Sequence, residues 1–574
     1  TAPAITASTT IITGSAALTT QAVNAANITF DGPALFRSSA AVNASGNAGG
    51  DPAFIRFNGT LDAGADALTL ALNTSGETRF AGDIGATRGF ATLTTDAPGT
   101  TAFEGAGPLA ASGAVLEFLD AVALRSDTTL NASTRAALTN SVSSAAGAGR
   151  SLTINSPLTV LTGVVGGVVG SGDGLELGTL TTDAAGSTNI GPSLRANVIA
   201  LSDAVNLGAD ATLEGLTSLT LNGGVISDEN AGRSLRVLSP VAVIRGNVGD
   251  DSTGRLGAFT TGTAGGLTIE SPLCRVASAT ISQNLALGAG TNIGSLGEVR
   301  FERAVTTAGD ATVSSGGAVL FQDALTLGGA TTVNADGGAR FSGVISSTAP
   351  DAGALIVNTP GGTEARFDAS IGRDGAGADL PRLSQFATAG DGTTIIAGNV
   401  VRAGVVSLGQ NAVVGAGAIP ADTRVEVIAD SASFNALNSS AANAGDLILT
   451  VSGDSFLNGA VGGNARFRSL RTDASGRTVV RAGVSVAGIP GYDTTNQGRG
   501  IDFGDAVRVS NNVVLDAGQG IFFARRTIDS ESSAAPADLT VRTSRSRPSL
   551  GEAQSEAFDA DIPVKFGGSV GGQD

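Results

Sequence analysis

The chain has 574 residues, 82 of them Gly, with a formal net charge of -17, one Cys and no His, Met or Trp. Acidity on this scale opposes nucleic acid and anionic lipid, which are bound by clustered Lys and Arg that displace counterions. Without His there is no Ser-His-Asp or Cys-His nucleophile system and no histidine metal site, and a lone Cys builds neither a disulfide framework nor a cysteine metal site.

Residues 1–50 are rich in Thr and Ala and carry weak landmarks; they are expected to form an N-terminal cap or a segment that joins a neighbouring subunit. The chain opens on Thr1 and has no Met, so it reads as a processed product whose signal segment, if it had one, is gone, and it has no apolar run of the ~18 residues that span a bilayer, so no membrane insertion is expected. From residue 51 onward four landmarks recur in fixed order. The first is a Leu-Thr-aliphatic phrase at Leu68, Leu152, Leu235, Leu355, Leu447 and Leu539, with steps of 84, 83, 120, 92 and 92 residues; an extra copy stands at Leu267. The second, apolar-x-small-x-Val/Ile-Gly, begins at Phe80, Leu161, Ile244, Phe367, Leu457 and Phe566. The third is LTTDAPGT at Leu93, LTTDAAGST at Leu180 and LRTDASGRT at Leu470, and the fourth runs from Asp120, Asp203, Asp323 and Asp505.

Between Gly, Asn and Asp the period is two, as in LTSLTLNGG, where Leu219 and Leu221 flank Thr220. Alternation over four to six residues closed by turn residues signals strands, and Gly and Thr disfavour long helices. Three strands and their turns need about 18 to 22 residues, so four coils fill a superrepeat of about 80 to 90 residues, and roughly 28 coils at ~4.8 Å each would make a rod on the order of 130 Å. The expected fold is an all-β parallel β-helix, a β-solenoid over residues 51–541, whose stacked coils bury one another's Leu, Val and Phe. In LTTDAAGS, Asp183 should cap a corner while Thr181 and Ile190 lie in the flanking strands. Residues 542–574 break the pattern and are expected to hold a loop insertion, then a last coil.

The phrases LTTDAAGSTNIG, DAVNLGADATL and AGRSLTINSP resemble the β-strand repeats of large bacterial surface proteins of the filamentous haemagglutinin and autotransporter-adhesin kind. The resemblance runs from about residue 50 to the end and rests on turn and core patterns. It implies an exported, right-handed β-helical stalk on the cell surface. The Asn-Pro-Asn-Gly export signature of the two-partner secreted members and a C-terminal membrane barrel are both missing, which leaves the export route open.

Candidate chemistry is sparse. Ser455 in GDSF has no base to activate it. The Gly-rich run 163–174 lacks the Gly-Lys-Ser/Thr ending of a phosphate loop, and the sole lysine, Lys565, precedes Phe566, so the run reads as a corner and stacked strands. Asp173, Asp250, Asp251 and Asp391 sit in Gly-rich turns and are the candidates for carboxylate chemistry on polysaccharide, against which stand the absence of Trp and the single Tyr492. No intact calcium-loop motif is present. Cys274 is expected to point into the stack as a small hydrophobe. The Asn-x-Ser/Thr triplets at Asn27, Asn43, Asn58, Asn73, Asn131 and Asn438 are chance features of a Thr- and Ser-rich chain. The function expected is mechanical and non-enzymatic, with no catalytic, cofactor or metal residues: an adhesin stalk or the subunit of an extracellular fibre that self-associates through strand edges, with surface glycans as contacts. A carbohydrate-active β-helix enzyme using Asp and Arg is the alternative.

Overall fold

Strands of three to six residues, each alternating inward and outward side chains and ending at a Gly, Asn or Asp corner, dominate the chain. The computed structural model describes residues 4–46, 52–145, 147–228, 231–251, 254–415, 424–487, 500–510, 513–518, 520–523, 528–531, 539–543 and 565–566. Among the described residues the protein is an all-β solenoid of parallel strands with no helix, winding through about 21 turns. It divides into two units, Thr1–Asn284 and Leu285–Asp574.

In the first unit the three faces can be followed as three columns of stacked residues. Thr78, Thr101, Val122, Val142, Val165 and Leu194 make one. Ile84, Ala111, Leu130 and Ile154 make the next. The last runs Leu93, Leu116, Ala136, Thr159, Thr188, Val205, Val225, Val248 and Cys274. The ladders that build these columns are all parallel, so each coil's backbone groups bond the coils on either side. Residues 4–44 already follow this register, Ala4 opposite Ala22 and Phe30 opposite Phe57. Long strands such as Leu109–Phe118 and Ser193–Leu201 bend across two faces, with a register shift at Gly113/Val115 and at Ala196/Val198.

Like residues stack on like. In the first unit Phe30, Phe57, Phe80 and Phe103 pile up with centroids 4.7, 5.5 and 5.6 Å apart. In the second, Phe301, Phe321, Phe341 and Phe367 stand 4.7, 4.9 and 4.9 Å apart, close to the spacing of the strands that carry them. Outward positions carry amide ladders: Asn73 donates to Asn43 at 2.7 Å and Asn43 to Asn24 at 2.6 Å.

Two expectations need correction. Coils are not confined to 18–22 residues: the step from Phe301 to Phe321 and on to Phe341 is 20, but Phe341 to Phe367 is 26 and Phe367 to Ile396 is 29. The excess is loop inserted at a corner, and it explains about 21 turns in place of 28. Nor does a superrepeat hold four coils. Counting each half of a bent strand separately, eleven strand segments separate Ile84 from Val165, eleven separate Val165 from Val248, and in the second unit eleven separate Ile371 from Val461. Eleven segments on three faces make three and two-thirds turns. Equivalent residues therefore shift by one face per superrepeat, which is why Ile84, Val165 and Val248 stand in three different columns.

The recurring TTDA phrase has a definite task. Thr181 and Ile190 lie in the strands Leu177–Thr182 and Ser187–Ile190, as expected. Asp183 accepts a hydrogen bond from the amide of Ser156 in the coil beneath, at 3.2 Å, and Asp96 and Asp473 do the same for Thr74 and Val451. Thr182 turns inward, toward the Asp of the fourth landmark one coil later. The segment 542–574 falls almost wholly outside the described residues; Arg542 and Thr543 end the strand Leu539–Thr543, and Lys565–Phe566 pairs with Phe522 and Phe523.

Candidate functional site

The second landmark ends in Gly because the chain there must turn left-handed and pass against the next coil. Gly85, Gly166, Gly249, Gly372 and Gly462 all have φ between +67° and +77°. A Cβ on Gly166 would sit 1.8 Å from the carbonyl oxygen of Arg195, and one on Gly249 2.0 Å from that of Arg275. From each Gly the chain leaves the coil as a loop before rejoining it. These are recurring departures from the plain solenoid, and insertions of this kind are where repeat proteins carry their contacts.

Three of the loops are held by an Arg from the coil above, at the position following the residue that stacks on the landmark. Arg195, with only 5% of its side chain exposed, lies 3.0 Å from Asp173, 3.5 Å from Glu176 and 2.9 Å from Glu214. Arg275 bonds Asp251 at 2.6 Å. Arg402 donates to the carbonyl of Leu380 at 2.8 Å and stands 3.8 Å from Asp379. The carboxyl of Asp173 is held down at about 2, first by the Ser171 hydroxyl, then by the Leu175 amide, with the Val168 amide and Arg195 adding to it. Asp379 is likewise lowered, chiefly by its bond to Arg373.

Three of the four carboxylates singled out in the sequence therefore serve the loops that hold them. Asp173 caps the amides of Val168 and Leu175, and Asp250 caps that of Gly254 at 2.7 Å. Asp251 is paired with Arg275, and Asp391 is exposed in the bend between Leu383–Ala389 and Thr393–Ile396. Asp173 and Asp250 follow Gly166 and Gly249, which stand on different faces, so the first unit does not bring them together. Ser455 is 2% exposed and stacks between Ala432 and Thr478. In the run 163–174, Val164 and Val165 stack while Gly166, Gly167, Gly170, Gly172 and Gly174, all at positive φ, form the excursion. Cys274 points inward, 1% exposed, and burial pushes its thiol up to about 12, so it packs as a small hydrophobe. Tyr492 lies outside the described residues.

The clamping Arg residues went unread in the sequence, although SLRAN, PLCRV and VVRAG each place Arg 26 to 30 residues after the landmark Gly. Open grooves lie elsewhere in the first unit. One of about 600 Å³ lies where Leu109–Phe118 and its neighbour bend, with Asp66, Arg88, Ser112, Asn131 and Asn155 on its walls; a second of about 420 Å³ is lined by Glu214, Leu216, Arg236, Pro240 and Thr263.

Arg402→Ala should free the loop 372–382 at little cost to the coils. Its partner Asp379 is half exposed, so global stability should change by less than ~1 kcal/mol while limited proteolysis acquires a new cut between 372 and 382. An unchanged digestion pattern would mean that the loop is held by its own bonds.

Comparison with protein-family models, curated proteins and solved structures finds no match to this chain.

Proposed function

We propose that this chain is a non-enzymatic structural element of the bacterial cell surface, the stalk or building block of an extracellular fibre or adhesin. The observation that carries the reading is the shift of one face per superrepeat within each unit. Catalysis requires several groups converging on one reacting atom. A repeat that advances by two-thirds of a turn instead sends its equivalent loops to successive faces, and each loop's carboxylates are taken up by its own amides and clamping Arg. Such an arrangement suits a spacer that presents contacts around its axis. Surface glycans are the proposed ligands of the two grooves, whose walls carry Asn, Ser, Thr and Arg, and further copies of the chain are the proposed assembly partners.

The test is twofold. Purified protein incubated with acidic polysaccharides should release no reducing ends or unsaturated uronates, and on concentration should assemble into fibres visible in negative stain. Turnover of any such polysaccharide that depends on Asp250, Asp251 or Asp173 would overturn the reading in favour of a carbohydrate-active enzyme.

A further inference from the structure

Three buried carboxylates have no ion-pair partner among the described residues. Asp120, Asp203 and Asp505 are each 1–2% exposed and open the fourth landmark. Each is held by two Thr hydroxyls from the corner beneath. Thr95 donates to Asp120 Oδ1 at 2.7 Å, and Thr101 to Oδ1 and Oδ2 at 2.9 and 3.0 Å. Thr182 and Thr188 hold Asp203 at 2.6 and 2.7 Å, and Thr472 and Thr478 hold Asp505 at 2.7 Å each. The Asp of the TTDA phrase lies at the same corner as a like charge: Asp96 for Asp120, Asp183 for Asp203, Asp473 for Asp505. At the equivalent corners the chain carries neutral amides. Gln410 accepts from Thr394 at 2.9 Å and donates to the Ala389 carbonyl at 2.6 Å, and Gln283 donates to the carbonyls of Ser239 and Ala264. Asp323, above a corner of Glu302 and Arg303 with no Thr, is exposed.

We propose that this corner is an acid-tightened clasp: at each buried Asp the solenoid takes up a proton as pH falls from neutral toward 5, and the coils are held more firmly for it. A carboxyl buried this far beside a second carboxylate is disfavoured in its charged form, and the two hydroxyl bonds it accepts offset only part of that burial cost. On the corners above, Leu138–Val142 and Leu221–Val225 carry no titratable group. Around Asp120, Glu117 and Arg125 are engaged outward with Arg135 and with Glu77 and Glu104, and Asp127 caps the Ser151 amide; around Asp203, Arg195 is engaged with Asp173, Glu176 and Glu214, and Asp210 caps the Ser234 amide. Near Asp505 stand Arg477, paired with Asp454, and Asp502, Arg508 and Asp529; residues 524–527 of the coil above, Arg525 and Arg526 among them, lie outside the described residues.

Burial raises the carboxyls of Asp120 and Asp505 from 3.8 to about 6, and raises that of Asp203. With folded values above unfolded ones, the native state binds more protons between about pH 4 and 6, so stability rises as pH falls through 6 and levels off near 4. For a shift of about two units, as at Asp120 and Asp505, the effect on the unfolding equilibrium is on the order of 100-fold at each of the two. Carboxylates held low by their partners, such as Asp173 and Glu531 at about 2, lose their contribution only below about pH 4, outside this window.

The experiment is urea unfolding of the full chain at pH 5 and pH 7.5, beside D120N/D203N/D505N and D120Q/D203Q/D505Q, the latter carrying the side chain that Gln410 already places at this corner. The parent should show a higher midpoint at pH 5, and the triple variants should lose that difference and match or exceed the parent at pH 7.5. A parent midpoint that is flat or lower at pH 5 would overturn the clasp. So would variants that keep the full response, since relief of repulsion within a chain of net charge -17 would then be its source.

Discussion

Phe341→Ala should destabilise its coil by about 3–5 kcal/mol, the cost of truncating a buried aromatic whose surroundings do not collapse. The ring is 1% exposed and lies between Phe321 and Phe367 at 4.9 Å on either side, tilted by only 7° and 6°. Collapse is prevented by the backbone, because Ala339–Phe341 is bonded to Val319–Phe321 on one side and Glu364–Phe367 on the other. The two flanking rings therefore face a void that neither can enter. In a stacked array each coil contacts only its neighbours, so the loss is local and long arrays depart from two-state unfolding. Amide hydrogen exchange is the suitable measurement: protection should fall in strands within one or two coils of residue 341 and stay unchanged at Phe30–Phe103. Phe456 is the control, an outward ring covered by Arg481 at 5.2 Å, whose truncation should cost under ~1 kcal/mol. Equal losses at both positions would mean that the inward column is not what binds the coils.

That column was readable in the sequence, and the reason is the strand period. Arg340 between Ala339 and Phe341 leaves one face for the apolar residues, so inward and outward assignments followed from alternation alone. The inward Cys274 and the strands around TTDA followed in the same way. The count of coils did not, because landmark spacing counts residues while the solenoid counts corners. A loop such as 166–176 adds length without adding a strand, and a bent strand such as Leu109–Phe118 serves two faces within one uninterrupted strand, its corner marked only by Gly113. The clamps were hidden for another reason. Arg195 and Asp173 are 22 residues apart and meet only through register, which depends on the insertion lengths that the sequence leaves open.

Gly166→Ala should disrupt the corner below Arg195 far more than Gly170→Ala disrupts the same loop, although the two residues have nearly equal φ, +77° and +75°. Left-handed backbone costs any residue with a Cβ about 1–2 kcal/mol. At Gly170 that is the whole cost, since a Cβ there meets nothing within 4 Å. At Gly166 the Cβ would lie 1.8 Å from the Arg195 carbonyl oxygen and 2.8 Å from its carbon, and backbone on that side can yield only by moving out of its ladder. The Gly166 amide is itself bonded to the Val142 carbonyl at 2.7 Å, so movement on the other side breaks a second bond. Together these place Gly166→Ala at roughly 3–5 kcal/mol, among the larger effects of single substitutions. Gly166→Asn tests the split between the two causes, because Asn tolerates the left-handed region but brings the same Cβ. If strain dominates, Asn should recover most of the stability; if the close approach dominates, as the geometry requires, Asn should be no better than Ala. Hydrogen exchange at Val142–Ser144 and Ser193–Leu201 reads the outcome, and full protection there in Gly166→Ala would show that the corner can open without the ladder giving way.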